Sequence, residues 1–213
     1  MNDITSRIEH TVLGPTTTWS AVSDVLDQAL RYGMRACIPP CYLERAGEYA
    51  PGVDLVTVVG FPHGQHLTET KCAEADHVWQ AGATEIDFVA NVGHIKSGNL
   101  GAVRAEFEEV VAAVPVPVKV IVESPLLDAD ELRAVSEVAA ATNVAYLKTS
   151  TGFTDGGATV ADVELMSEYC PVKASGGIRS WEFTRELMDA GAERIGSSSG
   201  DVILEEYRNS RNS

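Results

Sequence analysis

Apolar or β-branched runs of strand length return eight times along this chain, as Ile8–Leu13, Arg35–Pro39, Leu55–Gly60, Glu85–Ala90, Val118–Glu123, Val144–Thr149, Val172–Ala174 and Arg194–Ser197. Between them lie segments with helical spacing. Leu100, Val103, Phe107, Val110, Val111 and Val114 fall on one face, while Arg104, Glu106 and Glu108 fall elsewhere, as in an amphipathic cover. Helix punctuation agrees: Asp128 followed by Glu131 reads as a start, and Gly33, Gly82 and Gly191 stand where helices 18–32, 67–81 and 181–190 should stop. Strands that alternate with helices pair in parallel through crossovers, and eight units in 213 residues leave about 27 residues each, enough for a strand, a helix and two short loops. The pattern predicts an α/β chain forming a single (β/α)8 TIM barrel over residues 1–213. A doubly wound open sheet is the alternative, because periodicity does not reveal strand order.

Charge narrows the partners. Asp plus Glu number 31 against 16 Lys plus Arg, a formal charge of -15, which argues against a basic groove for nucleic acid or an anionic membrane surface. The longest nearly apolar run, Val110 to Val122, carries Pro115, Pro117 and Lys119 and falls well short of the roughly twenty residues a spanning helix needs. Met1 to Thr5 lack the basic start and apolar stretch of a secretory signal, so the expected location is the cytoplasm. Cys37, Cys41, Cys72 and Cys170 include no CxxC pair and read as free thiols, the last three as packing residues. The acidic balance fits a salty cytosol and equally an ordinary acidic enzyme.

The most informative charges lie inside strands. In a barrel, successive side chains point alternately to the interior and to the helices. In Glu85-Ile86-Asp87-Phe88-Val89 and Val118-Lys119-Val120-Ile121-Val122-Glu123 the charges alternate with apolar residues; Lys148 follows Leu147, and Lys173 lies between Val172 and Ala174. Three of the five lysines therefore occupy strand interiors. The bland explanation is that they snorkel from strand ends and pair with Asp87 and Glu123. Recurrence on consecutive strands favours a crowded site at the carboxyl ends of the barrel. Like charge and burial both disfavour protonation of an amine, and an unperturbed lysine is neutral in only about one molecule in two thousand at pH 7. A lysine kept neutral attacks a carbonyl to form a Schiff base, which draws electrons from the adjacent carbon; this is aldolase chemistry.

Glycine and hydroxyl clusters follow the last strands: Gly152 after Lys148, Gly176 and Gly177 after Lys173, and Gly196-Ser197-Ser198-Ser199-Gly200. Such loops let backbone N–H groups approach an anion, and barrels often hold phosphate after strands seven and eight. His63 and His66 lack a third ligand in their loop, so no metal is expected. Cys37, at a strand end without an activating base, reads as a small buried apolar residue rather than a nucleophile, and is grouped with the substrate-contacting set. His10, His77 and His94 carry no spacing signal.

At these residues the chain resembles the deoxyribose-phosphate aldolase family, the class I, Schiff-base aldolases. The likeness runs nearly end to end, through Ile8-Glu9-His10-Thr11, Val59-Gly60-Phe61-Pro62, Gly82 to Asp87, Val118 to Glu123, Lys148-Thr149-Ser150-Thr151-Gly152-Phe153, Lys173-Ala174-Ser175-Gly176-Gly177-Ile178-Arg179 and Arg194 to Ser199. The resemblance implies reversible cleavage of 2-deoxy-D-ribose 5-phosphate to D-glyceraldehyde 3-phosphate and acetaldehyde, without metal or organic cofactor. It implies that Lys148 forms the Schiff base, Lys173 depresses its pKa, Asp87 moves protons, Lys119 keeps Asp87 ionised and Thr149 orients the carbinolamine. Gly152, Gly176, Gly177, Gly196, Ser198 and Ser199 would hold the phosphate. Partners would be phosphosugar and aldehyde substrates, with a homo-oligomer open. Two departures stand out: Glu9 replaces the family's usual Asp, and the tail after Tyr207 lacks the terminal tyrosine of some relatives. A phosphosugar isomerase or lyase without imine chemistry is the alternative, as is a non-catalytic sugar-phosphate binder.

Overall fold

In the computed structural model, which describes residues 4–212, each of the eight runs supplies a strand. The order is β1 (Ile8–Thr11), α1 (Trp19–Tyr32), β2 (Arg35–Cys37), α2 (Leu43–Tyr49), β3 (Leu55–Val59), α3 (Thr68–Gln80), β4 (Glu85–Val89), α4 (Val92–Lys96) and α5 (Leu100–Ala112). It continues with β5 (Val118–Ile121), α6 (Ala129–Ala140), β6 (Tyr146–Lys148), α7 (Val160–Ser167), β7 (Val172–Ser175), α8 (Trp181–Asp189), β8 (Ala192–Ser197) and α9 (Gly200–Asn212). The strands follow one another around a closed parallel barrel. Closure is made by β1 on β8, with Ile8 opposite Ile195 and His10 opposite Ser197, so the open sheet is excluded.

Local chemistry sets the boundaries. Thr18 caps α1 by accepting the Ala21 N–H, and Gly33 ends it at φ 76°, where a side chain would be strained. Asp128 and Glu131 form a reciprocal capping box at the start of α6. Several strands stop short of their sequence-predicted ends, although single backbone bonds continue past them, from the Val12 N–H to the Cys37 carbonyl at 2.9 Å and from the Ile38 N–H to the Val56 carbonyl at 3.0 Å. The sharpest case is Glu123, expected to extend β5; the strand ends at Ile121 and Glu123 adopts the left-handed region at φ 54°.

Outward residues such as Ile86, Phe88, Val120, Leu147 and Ile195 pack beneath the helices in the main core, with Phe88 edge-on to Phe107 of α5 at 5.6 Å. Inside the barrel, Cys37, Val56 and Val58 form a separate small apolar cluster. Glu106, placed by periodicity away from the apolar face of its helix, is instead buried against a fourth buried lysine: Lys71 of α3 donates to Glu106 at 2.6 Å and to the Val89 carbonyl at 2.7 Å. The other Glu106 oxygen accepts the Asn91 N–H at 2.9 Å. Burial lowers the Lys71 pKa although Glu106 favours the charged form. The pair fastens α3 and α5 to the end of β4, two residues beyond Asp87.

Candidate active site

The period-two alternation of parallel strands brings Asp87, Lys119, Lys148 and Lys173 together inside the barrel, with Asp87 beside Lys119 across β4–β5 and Lys148 beside Lys173 across β6–β7. Asp87 is the hub. Its Oδ1 accepts from Lys119 at 3.0 Å, and its Oδ2 accepts from Lys148 at 2.9 Å and from Lys173 at 2.6 Å. Glu9 completes the cluster: it is fully buried, bonded to Lys173 and 3.4 Å from Lys119, which also meets Glu85 at 2.5 Å. Gly196 leaves room for this packing, because a Cβ there would lie 3.0 Å from Lys173 Cε and 3.2 Å from Ser175 Cβ.

At Asp87, Glu9, Lys173 and Lys119 burial opposes charge, and mutual neutralisation outweighs it. Desolvation raises the Asp87 pKa, yet Lys119, Lys148 and Lys173 hold it well below the usual carboxylate range. Glu9 is likewise pushed up by burial and brought below its ordinary value by Lys119 and Lys173. Lys173 is disfavoured as a cation by burial, but Asp87 and Glu9 raise it above the ordinary lysine range. Lys119 is raised too, with Asp87 and Glu9 again outweighing its desolvation. Lys173 and Lys119 are thus firmly charged.

Lys148 is the cluster's contact with the outside. It lines an open cavity of about 330 Å³ at the carboxyl ends of the strands, whose wall includes Gly152, Gly176, Gly177, Gly196 and Ser198. Asp87, Lys119 and Lys173 lie beneath it and do not reach its surface. Gly176, at φ 93°, lets two loops meet: a Cβ there would approach Gly157 Cα to 3.0 Å and Ser150 Cβ to 3.1 Å.

Three expected substrate contacts are absent from this wall. Thr149 is buried with its hydroxyl committed, donating to the Ser175 carbonyl at 2.8 Å and accepting the Ser175 N–H at 2.9 Å, so it ties β6 to β7. Cys37 packs in the inner apolar cluster, where burial pushes its thiol pKa up. Ser199 gives its N–H to Ser197 Oγ at 2.9 Å. Glu123, expected to balance the lysines, turns away from them in its left-handed conformation and accepts from Thr151 Oγ1 at 2.5 Å and Thr154 Oγ1 at 3.1 Å. Cys41, expected to pack, is exposed.

Sequence reasoning missed Arg179, exposed at the cavity wall beside the Gly176–Gly177 turn, and Thr11, Leu13 and Phe153, which line the same cavity. It also left the role of Glu9 open, although a carboxylate alternating with Ile8 and His10 in a strand carried the same interior signal as Asp87. Among the described residues, no group of three or more His, Cys, Asp or Glu side chains is placed to hold a metal ion, and no helix is long and apolar enough to cross a membrane.

A closed parallel barrel with an amine at the floor of its mouth and a second amine held charged beneath it defines a (β/α)8 lyase of the class I aldolase kind. No protein-family model matches the chain. It is 63% identical over 202 residues to the deoxyribose-phosphate aldolase of Natronomonas pharaonis, covering 95% of this chain and 94% of that one. With the enzyme of that name from Caldanaerobacter subterraneus subsp. tengcongensis it shares 43% identity over 217 residues, 97% of this chain and 94% of the relative. The tetrameric deoxyribose phosphate aldolase structure from Aeropyrum pernix superposes with a TM-score of 0.88 at 34% identity, covering 96% of this chain and 91% of that one. The chain belongs to the deoxyribose-phosphate aldolase family.

Proposed function

We propose that this chain reversibly cleaves 2-deoxy-D-ribose 5-phosphate to D-glyceraldehyde 3-phosphate and acetaldehyde, with Lys148 as the Schiff-base lysine. The observation that carries the assignment is the unequal setting of two amines on one carboxylate oxygen: Lys173 is wholly buried between Asp87 and Glu9, whereas Lys148 has Asp87 alone and opens onto the cavity. Of the two, Lys148 is the amine that can meet a substrate.

Neutral Lys148 adds to the C1 aldehyde of the open-chain sugar, and loss of water gives a protonated imine. The C2–C3 bond then breaks: its electrons move into the enamine, and the C3 hydroxyl gives up its proton as C3 becomes the aldehyde of glyceraldehyde 3-phosphate. Protonation at C2 and hydrolysis of the imine release acetaldehyde and restore Lys148. Asp87 moves protons through a water or neighbouring hydroxyl, while Lys119 and Lys173 keep it ionised. Gly176, Gly177, Gly196 and Ser198, with Arg179 at the wall, are suited to the phosphate: glycine allows close backbone approach, and the guanidinium supplies positive charge beside it. The reaction needs no metal or organic cofactor. We place it in the cytoplasm and expect a homo-oligomer, readable by light scattering.

The test is incubation with deoxyribose 5-phosphate while acetaldehyde is read through a coupled alcohol dehydrogenase. Release of acetaldehyde equimolar with glyceraldehyde 3-phosphate is expected. Conversion to an isomeric phosphosugar without acetaldehyde would assign the isomerase alternative instead.

A further inference from the structure

His10 is the one buried histidine among the described residues. Its neighbour Glu9 points inward to the lysines, so alternation along β1 turns His10 outward, to α1 and α9. Both ring nitrogens are engaged. Nδ1 accepts the Gly200 N–H at 3.2 Å, and Nε2 meets Gln28 Oε1 at 2.6 Å. Gln28 in turn donates from Nε2 to Asp201 Oδ2 at 3.1 Å. A backbone amide can only donate, so Nδ1 is the unprotonated nitrogen and Nε2 carries the hydrogen given to Gln28. The chain of bonds leaves α9 at Gly200 and returns to it at Asp201.

The packing is equally committed. A Cβ at position 200 would lie 2.9 Å from His10 Nδ1, 3.0 Å from Ile8 Cγ2 and 3.1 Å from Met34 Sδ, so only glycine lets the backbone rest on the imidazole. The residues just before it, Gly196 to Ser198, form part of the cavity wall. On the inner side, Ser197 Oγ donates to the Ile178 carbonyl at 2.6 Å and accepts the Ser199 N–H at 2.9 Å. The Ser197–Gly200 turn is therefore pinned from inside by Ser197 and from outside by His10.

We propose that His10 is a positioning residue for phosphate recognition: its unprotonated Nδ1 fixes the β8–α9 turn, so that the groups meeting the substrate phosphate are in place before binding. This rests on the aldolase reading above. Imine chemistry at Lys148 lies on the other face of the barrel wall and does not depend on His10, so the effect belongs to the phosphate and not to the bond cleaved.

Two variants test it: His10→Asn, which offers an oxygen acceptor near the position of Nδ1, and His10→Phe, which fills the space without one. Each is assayed with deoxyribose 5-phosphate and with unphosphorylated 2-deoxyribose. His10→Phe should raise KM for the phosphosugar about three- to tenfold, the value of one hydrogen bond, with kcat little changed, and should leave kcat/KM for deoxyribose unaltered. His10→Asn should restore the low KM. Equal losses on both sugars, or an unchanged phosphosugar KM in His10→Phe, would overturn the proposal. If His10→Phe does not fold, Gln28→Leu, at a partly exposed position, should give a smaller rise in the same direction, and no rise would count against it. Wild-type protein that cleaves neither sugar refutes the aldolase reading separately; inorganic-phosphate binding by calorimetry then still reads His10, weakening in His10→Phe and persisting in His10→Asn.

Discussion

Replacing Asp87 by Asn keeps the size of the side chain and removes the charge on which three amines converge. Asn offers one oxygen and one NH2. With the oxygen in the Oδ2 position, Lys148 and Lys173 keep an acceptor while the NH2 faces Lys119; in the other orientation the NH2 confronts both Lys148 and Lys173, which stand 2.9 and 2.6 Å from that site in the wild type. In either case the three buried lysines face only Glu9 and Glu85, leaving a positive charge without its counterpart. Removing one partner of a buried pair costs about 3–5 kcal/mol, a large part of the about 5–15 kcal/mol that stabilises a typical domain. Because the native Asp87 pKa is depressed, its contribution is complete above the unfolded value of about 4 and is lost as pH falls through the native value. Urea unfolding should therefore show the full deficit at pH 7 and 5, narrowing below about pH 4. Turnover should fall about a hundred- to ten-thousandfold through loss of the proton-transfer group. Equal stability at pH 7, or undiminished cleavage, would refute both the charge balance and the role given to Asp87.

Glu106→Gln should destabilise the fold by about 3–5 kcal/mol at pH 7, because it strands the buried Lys71 ammonium. Burial lowers the native Lys71 pKa and Glu106 partly offsets this, so without Glu106 the pKa falls further and the variant gains more stability than the wild type as pH rises; the deficit should shrink towards pH 10, and one that grows in alkali would contradict this. Lys173→Met should slow turnover and move the active range to more alkaline pH, since Lys148 no longer shares Asp87 with a fixed cation; an unchanged pH–rate profile would exclude that role. Thr149→Val removes the hydroxyl joining β6 to β7 and should cost about 1–3 kcal/mol in thermal unfolding, with activity lost no faster than stability. A large loss of kcat at full stability would return Thr149 to the substrate.

The barrel and its chemistry were legible to different depths. Eight apolar runs and the alternation of Asp87, Lys119, Lys148 and Lys173 with apolar neighbours sufficed to place the charged cluster, because side-chain direction in a strand follows from parity alone. Parity does not report where a strand stops. Glu123 has the right parity and the wrong backbone, since its left-handed turn directs the carboxylate to Thr151 and Thr154. Thr149 stands next to Lys148 and so points to the other face, where its hydroxyl meets the Ser175 backbone. The Lys71–Glu106 pair escaped notice because helical periodicity treats every charge as solvated, and only the packing of α3 on α5 reveals that these two are not. Arg179 became visible once the loops after β6, β7 and β8 enclosed one cavity.

Lys148, and no other amine of the cluster, should capture the aldehyde. Treatment of the wild type with acetaldehyde and borohydride, followed by peptide mapping, reads this directly. An ethyl group is expected on Lys148, with Lys119 and Lys173 unmodified and the label absent from Lys148→Ala. An adduct on Lys173, or cleavage of deoxyribose 5-phosphate with no lysine ever labelled, would contradict it.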